Sequence, residues 1–322
     1  MKAIRVRELG APEVLVLEEV PDPVPGRGEI LVRLHAAGVN PVDVYRRSGA
    51  ASYRTDLPYT PGHDGAGEVL KLGPEVGGFL AGDRVYIGGR STPHGTYAER
   101  TVVAAQNLFP LSERLSFEQG AGIRTPYLTA YRALHQRGRA RPGETVLVHG
   151  ASGGVGTASV QLAVAHDMVV IGTAGSDRGK ELVHELGARH VLDHHDPGHL
   201  ARAREITEGR GLDLILEMLA NVNLGSDLPA LAPRGRVVVI GSRGTVQINP
   251  RETMGREAEI LGVSLGSPTD EEMEVMQAAL ASLFEDGTLS PVVGRSVPLA
   301  EAPEAHRAVM RPGAYGKIVL VN

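Results

Sequence analysis

One stretch constrains this chain more than any other: Thr145-Val146-Leu147-Val148-His149-Gly150-Ala151-Ser152-Gly153-Gly154-Val155-Gly156. Residues with the character of a buried strand lead directly into a glycine-rich loop, and a helix is predicted over 156–166. The alternation then continues, with a strand at 168–171, a helix at 178–185, a short strand at 190–192, and β-runs at 214–216, 237–240 and 260–263. Continuous apolar strands separated by helices predict a parallel sheet covered on both faces, the doubly wound α/β arrangement. In such a sheet, a glycine loop between the first strand and its helix leaves backbone amides and the helix N-terminus open to an anion. Gly150, Gly153, Gly154 and Gly156 depart from the G-x-G-x-x-G spelling by one extra residue between the first pair. The strand–loop–helix context, rather than the spelling, therefore predicts a dinucleotide pyrophosphate here.

The tip of the second strand sets the expected cofactor. It reads Gly172-Thr173-Ala174-Gly175-Ser176, without the acid that usually holds a ribose 2′-hydroxyl and repels a 2′-phosphate, and Arg178 and Lys180 follow. NADPH is expected, with Ser176, Arg178, Lys180 and a protonated His194 as candidate 2′-phosphate contacts. The competing reading makes Arg178 and Lys180 solvated charges on a helix face.

Residues 1–120 have a different grammar. Short alternating β-branched runs at 3–6, 14–20, 29–34, 66–72, 84–87 and 97–103 are separated by turn signals such as Pro25-Gly26-Arg27-Gly28, which predicts an antiparallel, barrel-like lobe. An amphipathic helix over 271–284 follows the α/β region, and the last strand, 317–321, is expected to return to the first lobe. The expected domains are 1–122 completed by 266–322, and 123–265. With 322 residues, the chain exceeds a single small module.

Composition narrows the chemistry. The absence of cysteine excludes thiolate nucleophiles, iron–sulfur clusters and sulfur-ligated zinc. Lysine stands only at 2, 71, 180 and 317, so arginine supplies the other 29 of the 33 basic residues; the net charge of -5 gives no overall basic footprint for nucleic acid. No apolar run reaches the roughly 18–20 residues of a membrane span, and the N-terminus is charged, so a cytoplasmic protein is expected.

Longer motifs carry a family resemblance. Ala37-Gly38-Val39-Asn40-Pro41-Val42-Asp43, Pro61-Gly62-His63-Asp64-Gly65-Ala66-Gly67 and Gly82-Asp83-Arg84-Val85 resemble the medium-chain dehydrogenase/reductase superfamily. Glu217-Met218-Leu219-Ala220-Asn221-Val222-Asn223-Leu224, Gly241-Ser242-Arg243-Gly244-Thr245 and Ile248-Asn249-Pro250-Arg251 resemble its zinc-free quinone oxidoreductase and zeta-crystallin branch, and the likeness runs end to end. The resemblance implies a GroES-like, partly open β-barrel catalytic domain beside a Rossmann domain. It also implies NADPH in the cleft between them, and quinone reduction by direct hydride transfer without a metal. By position it implies cofactor contacts at Ser152, Gly153, Gly154 and Val155, at Gly175 and His194 near the adenosine end, and at Asn223. Ile240, Gly241, Ser242 and Arg243, with Val263, Ser264 and Leu265, would complete the nicotinamide side. Relatives often carry a tyrosine after a Ser-Gly-x triplet; here that slot is Ala51 and the tyrosine stands at Tyr53.

Metal-dependent relatives hold zinc with a Cys, a His-Glu pair and a later Cys or Asp; here those slots read Asn40, His63-Asp64 and the stretch around Thr125. One imidazole is too few for a zinc site, so none is expected, nor at His190, His194, His195 and His199. Asn40, Asp43, Tyr59 and Thr125 are the candidate catalytic residues, set against helix capping for Asn40 and Asp43 and barrel-edge packing for Tyr59. Two alternatives accompany the quinone reductase: an NADPH-dependent enone or activated-alkene reductase, and an NADPH-responsive single-stranded RNA-binding protein using Arg132, Arg137, Arg139 and Arg141. The expected partners are a quinone or other electron-poor acceptor and a second copy of the chain, as a homodimer or tetramer joined through the sheet edge at 260–263.

Overall fold

The computed structural model describes residues 1–50, 53, 56–89 and 94–322; Ala51 lies outside them. Two compact units divide the chain, Met1–Thr125 with Phe284–Pro312 and Gly316–Asn322, and Pro126–Leu283 with Gly313–Tyr315.

In the first unit β1 (Lys2–Arg5) and β2 (Val16–Glu19) form an antiparallel pair. β3 (Glu29–Val39) turns Ile30, Val32, Leu34 and Ala36 inward. Their alternation builds a core with Val69 of β4 (Asp64–Leu72), Val85 and Ile87 of β5 (Arg84–Ile87), and Val103 of β6 (Arg100–Ala104), closed by Leu108 of β7 (Leu108–Pro110). Where β3 ends, Asn40 is still extended, and Pro41 fixes the backbone at the start of α1 (Pro41–Ser48), which Gly49 closes in the left-handed region at φ 76°. A short helix, α2 (Phe117–Gly120), is capped by Ser116 and followed by α3 (Arg124–Tyr131).

The second unit is a six-stranded parallel sheet formed by β8 (Thr145–Val148), β9 (Val169–Thr173), β10 (His190–Leu192), β11 (Leu212–Glu217), β12 (Leu231–Val239) and β13 (Glu259–Gly262). Its order is β10-β9-β8-β11-β12-β13, so chain order reverses between β8 and β11. That reversal is the switch point outside which ligands bind in doubly wound sheets. The helices α4 (Gly154–Ala165), α5 (Asp177–Glu185), α6 (His199–Ile206), α7 (Ala220–Asp227), α8 (Pro250–Met254) and α9 (Asp270–Glu285) connect and follow the strands.

The chain returns to the first unit as β14 (Val293–Pro298), α10 (Ala302–Ala308) and β15 (Lys317–Val321). β15 pairs antiparallel with β3, completing the order β14-β15-β3-β4-β5-β7 with β6 also on β3.

The units divide at 125/126 and 283/284 rather than at 122/123 and 265/266. Most of α9 belongs with the sheet unit: Met276 and Leu280 are fully buried, and Glu272 pairs with Arg132 at 3.0 Å. The loop Gly313–Tyr315 also joins that unit, because Ala314 accepts a hydrogen bond from Ser152 at 2.7 Å and the Tyr315 ring lies under Arg178. β14 escapes sequence reading because only Val297 of its six residues is buried and they show no alternation. The expected strand at 14–20 shortens to Val16–Glu19, since Pro12 starts a 3-10 turn instead.

Candidate active site

The glycine loop leaves the C-terminal end of β8 at the switch point and ends in α4. Gly150 turns at φ +56°, and Gly153 caps the helix with extended backbone before Gly154 begins it. Gly156 packs so closely that a Cβ there would meet the Gly150 carbonyl oxygen at 2.2 Å and Ala151 at 2.7 Å. That contact brings the helix N-terminus against the strand, and the first-turn amides of Gly154 and Val155 have no intrahelical acceptor. Ser152 is buried and its hydroxyl already donates to Ala314, so its backbone amide, not its side chain, is what remains for a phosphate.

At the tip after β9, Ser176 caps α5 by accepting from the Gly179 amide at 3.2 Å. Lys180 is held by Asp177 at 2.9 Å and Asp193 at 3.2 Å. This corrects the expectation for Lys180: its charge is already matched by two carboxylates. It also neutralises Asp177, the first acid beyond the tip. Arg178 differs. Its guanidinium stacks over the Tyr315 ring at 3.7 Å and, among the described residues, makes no ion pair. Gly175 lets histidines approach the tip, because a Cβ there would meet Nε2 of His194 and of His195 at 2.5 Å. The expected protonation of His194 is opposed by its surroundings: loss of hydration around the ring, then the neighbouring His195, hold its pKa below the ordinary value.

The ends of β11, β12 and β13 bring the remaining predicted contacts together within this unit. Gly241 packs on the Met218 carbonyl oxygen, 2.4 Å from where a Cβ would stand, and its own carbonyl accepts from Ala220. Ile240 donates to the Glu217 carbonyl, Arg243 donates its amide to Asn221, Ser242 bonds Gly244, and Val263 continues from Val239. Ser264 accepts from the Gly266 amide, while Leu265 is part-buried in the same turn. Asn223 donates from Nδ2 to Glu217 at 3.2 Å.

Beneath these loops lies a cluster the sequence reading missed. His149, Glu217 and Asp227 are buried, with one ligand-capable atom of each within 4.8 Å of the others. His149 Nε2 stands 2.9 Å from Asp227 and 3.5 Å from Glu217, and Glu217 Oε1 also accepts the Leu219 amide. Burial pushes both carboxyls up to about 7, and for Glu217 the neighbouring Asp227 adds to the effect. Burial holds His149 below its ordinary value, so it donates to Asp227 as a neutral ring. The signal was available: Glu217 is an ionisable residue closing an otherwise apolar run, Leu214-Ile215-Leu216.

In the first unit the candidate catalytic residues belong to two joined networks. Asp43 reaches back to accept the Asn40 amide at 2.9 Å, half of a capping box, and also binds His63 Nδ1 at 2.8 Å and the Tyr97 hydroxyl at 3.2 Å. Arg46 can only donate, and it meets His63 Nε2 at 2.7 Å, which fixes the tautomer with hydrogen on Nδ1. Burial is the largest influence on Asp43 and opposes its charge, but the His63 hydrogen bond and the electrostatic attraction of His63 and His306 together outweigh it and keep the carboxyl below its ordinary value. Asp43 thus caps α1 and orients His63; every one of its oxygens is engaged. His306 continues the chain, its Nε2 at 3.2 Å from the Tyr97 hydroxyl.

The second network centres on Asp64, which is fully buried. Its Oδ2 accepts from Asn40 Nδ2 at 2.9 Å and Lys317 Nζ at 3.0 Å, and its Oδ1 accepts from the Thr125 hydroxyl at 2.5 Å with Arg124 at 3.6 Å. Burial is overcome by the charges of Lys317 and Arg124, leaving the carboxyl below its ordinary value. Lys317 also donates to Asn40 Oδ1, so the Asn40 side chain is saturated rather than directed at a ligand. Tyr59 is the contrast: its hydroxyl is buried without a hydrogen-bond partner among the described residues, and burial raises its phenol to about 12.

These donors do not fit zinc. Of the four ligand slots, His63 is committed on both nitrogens, Asn40 and Asp64 are tied to an ammonium, and Thr125 is a neutral hydroxyl.

A family model described as the alcohol dehydrogenase GroES-like domain matches residues 26–113, and one described as zinc-binding dehydrogenase matches residues 154–282. The quinone oxidoreductase of Mus musculus is 48% identical over 325 residues, spanning 100% of this chain and 98% of that protein. A crystal structure of an NAD-dependent alcohol dehydrogenase matches with TM-score 0.93 at 32% identity over all of both chains. A mycobacterial protein solved in complex with NADPH matches with TM-score 0.90 at 31% identity, again over all of both. The two structural neighbours differ in cofactor, so the choice for this chain falls to its own strand tip.

Proposed function

The chain belongs to the quinone oxidoreductase (zeta-crystallin) branch of the medium-chain dehydrogenase/reductase superfamily, and from that premise we propose that it is an NADPH-dependent quinone reductase working without a metal ion. The observation that carries the NADPH part is the neutral tip after β9, where Arg178 is, among the described residues, unpaired by acid while the nearest carboxylate, Asp177, is matched by Lys180.

NADPH, when bound, supplies a hydride for the acceptor. The Ser152–Val155 amides and the N-terminus of α4 hold its pyrophosphate, while Ser176 and Arg178 hold the 2′-phosphate. Asn223, Ile240 to Arg243 and Val263 to Leu265 support the nicotinamide end. In the first unit Thr125 and Tyr59 present hydroxyls to the acceptor; the Tyr59 phenol, protonated and without an internal partner, is the better placed to donate. A quinone asks little acid help, since water can protonate the reduced oxygens afterwards. Three of the four arginines invoked for RNA already have side-chain partners: Arg132 pairs with Glu272, Arg139 with Glu259, and Arg137 donates to the Gly262 carbonyl. Assays of a quinone panel and an enone panel, each with NADPH and NADH, test the reading; turnover of enones alone would replace the acceptor class.

A further inference from the structure

Two of the slots that hold a metal in zinc-dependent relatives, Asn40 and Asp64, meet here on one ammonium. Lys317 opens β15, is 4% exposed, and places Nζ against Asn40 Oδ1 and 3.0 Å from Asp64 Oδ2, with Thr125 on the other oxygen of the same carboxylate. The path of its side chain is built into the fold: a Cβ on Gly38 would stand 2.7 Å from Lys317 Cε and 2.9 Å from Asp64 Cβ. Composition sharpens the point. This chain uses arginine for 29 of its 33 basic residues, yet a lysine takes this buried ion pair, where arginine's planar fork is ordinarily favoured. A compact point charge suits a space shaped around a small cation.

We propose that Lys317 is the resident cation of this unit, standing in the place of the zinc ion of metal-dependent relatives and locking Asn40 and Asp64 so that Asp64 in turn fixes the Thr125 hydroxyl for the acceptor. It is a positioning residue: its charge offsets Asp64, its hydrogen bond fixes which way the Asn40 carboxamide faces, and Asp64 in turn holds the Thr125 hydroxyl. The part concerning the acceptor rests on the quinone reductase reading; the cation's place in the network does not.

The test compares Lys317→Ala, Lys317→Arg and the double variant Asp64→Asn/Lys317→Ala. In Lys317→Ala, kcat with quinone falls on the order of tenfold or more while NADPH affinity is unchanged, and ethylammonium restores melting temperature and turnover in a saturable way where ethanol does not. The double variant, in which the carboxylate served by the ammonium is gone and Arg124 keeps its bond to the Gly89 carbonyl, melts above Lys317→Ala and ignores the amine; if Lys317→Ala does not fold, recovery of the fold in the double variant supports the proposal equally. Lys317→Arg folds but turns over more slowly. Equal response to ethanol and ethylammonium, a double variant no more stable than the single one, or one Co2+ bound per wild-type chain at these residues would overturn the proposal. A wild-type protein inert toward quinones removes the functional reading alone, because the amine-dependent melting still reports on the cation.

Discussion

Substituting Glu217 by glutamine should change the pH dependence of stability in a direction fixed by the buried cluster. Glu217 and Asp227 rise from ordinary values of 4.5 and 3.8 to about 7. Acids raised on folding bind more protons in the native state than in the unfolded one. Their contribution is therefore most favourable below the unfolded values near 4, declines as pH rises through about 7, and stays unfavourable above that. At about 1.4 kcal/mol per pKa unit, ionising Glu217 in the folded protein costs about 3 kcal/mol. Glutamine keeps an oxygen for the Leu219 amide and Asn223, and gains an amide that donates toward Asp227. Thermal melts from pH 4 to pH 8.5 should show wild type losing ground to Glu217→Gln, the gap opening between about pH 4.5 and 7, levelling off above that, and reaching on the order of 5 °C. Parallel curves for the two proteins would refute the idea that burial raises the Glu217 carboxyl.

Three further outcomes follow from the same geometry. Gly156→Ala forces a Cβ onto the Gly150 carbonyl oxygen, so overpacking of roughly 1–3 kcal/mol should weaken NADPH binding about ten- to a hundredfold by calorimetry, and unchanged affinity would disprove the close helix–strand contact as the basis of the site. Arg178→Ala should weaken NADPH about ten- to a hundredfold and leave NADH unaffected, while Lys180→Ala, already matched by two acids, should change NADPH affinity less than about threefold; the reverse ranking would reassign the 2′-phosphate. β13 is the sheet's outer strand with Ile260 39% exposed, so light scattering at micromolar concentration should return a dimer or tetramer, and a monomer would leave that edge uncovered.

The parallel sheet was legible because its central strands β8, β9 and β11 are buried almost throughout and carry apolar runs, and the glycine loop because close packing admits no side chain at Gly156. The return of 317–321 to β3 was equally readable from its apolar character. Less visible were residues whose meaning comes only from distant partners. Lys317 stands 253 residues from Asp64, and Asp227 stands 78 from His149; nothing local marks either pair. Local signals also misdirected: Lys180 sits where a phosphate contact belongs, yet Asp193, thirteen residues on, claims it. Asn40 and Asp43 look like a catalytic pair, but α1 needs a cap and Asp64 needs donors, and those demands engage them first.

Metal-free, NADPH-linked quinone reduction is tested most directly by the initial rate of NADPH oxidation in chelator-treated protein supplied with a para-quinone, run beside NADH at equal concentration. The expected result is quinone-dependent oxidation that survives removal of metal ions, with kcat/KM for NADPH on the order of ten- to a hundredfold above that for NADH. No quinone-dependent rate with either cofactor, activity lost with a stoichiometric metal ion, or a preference for NADH would contradict it.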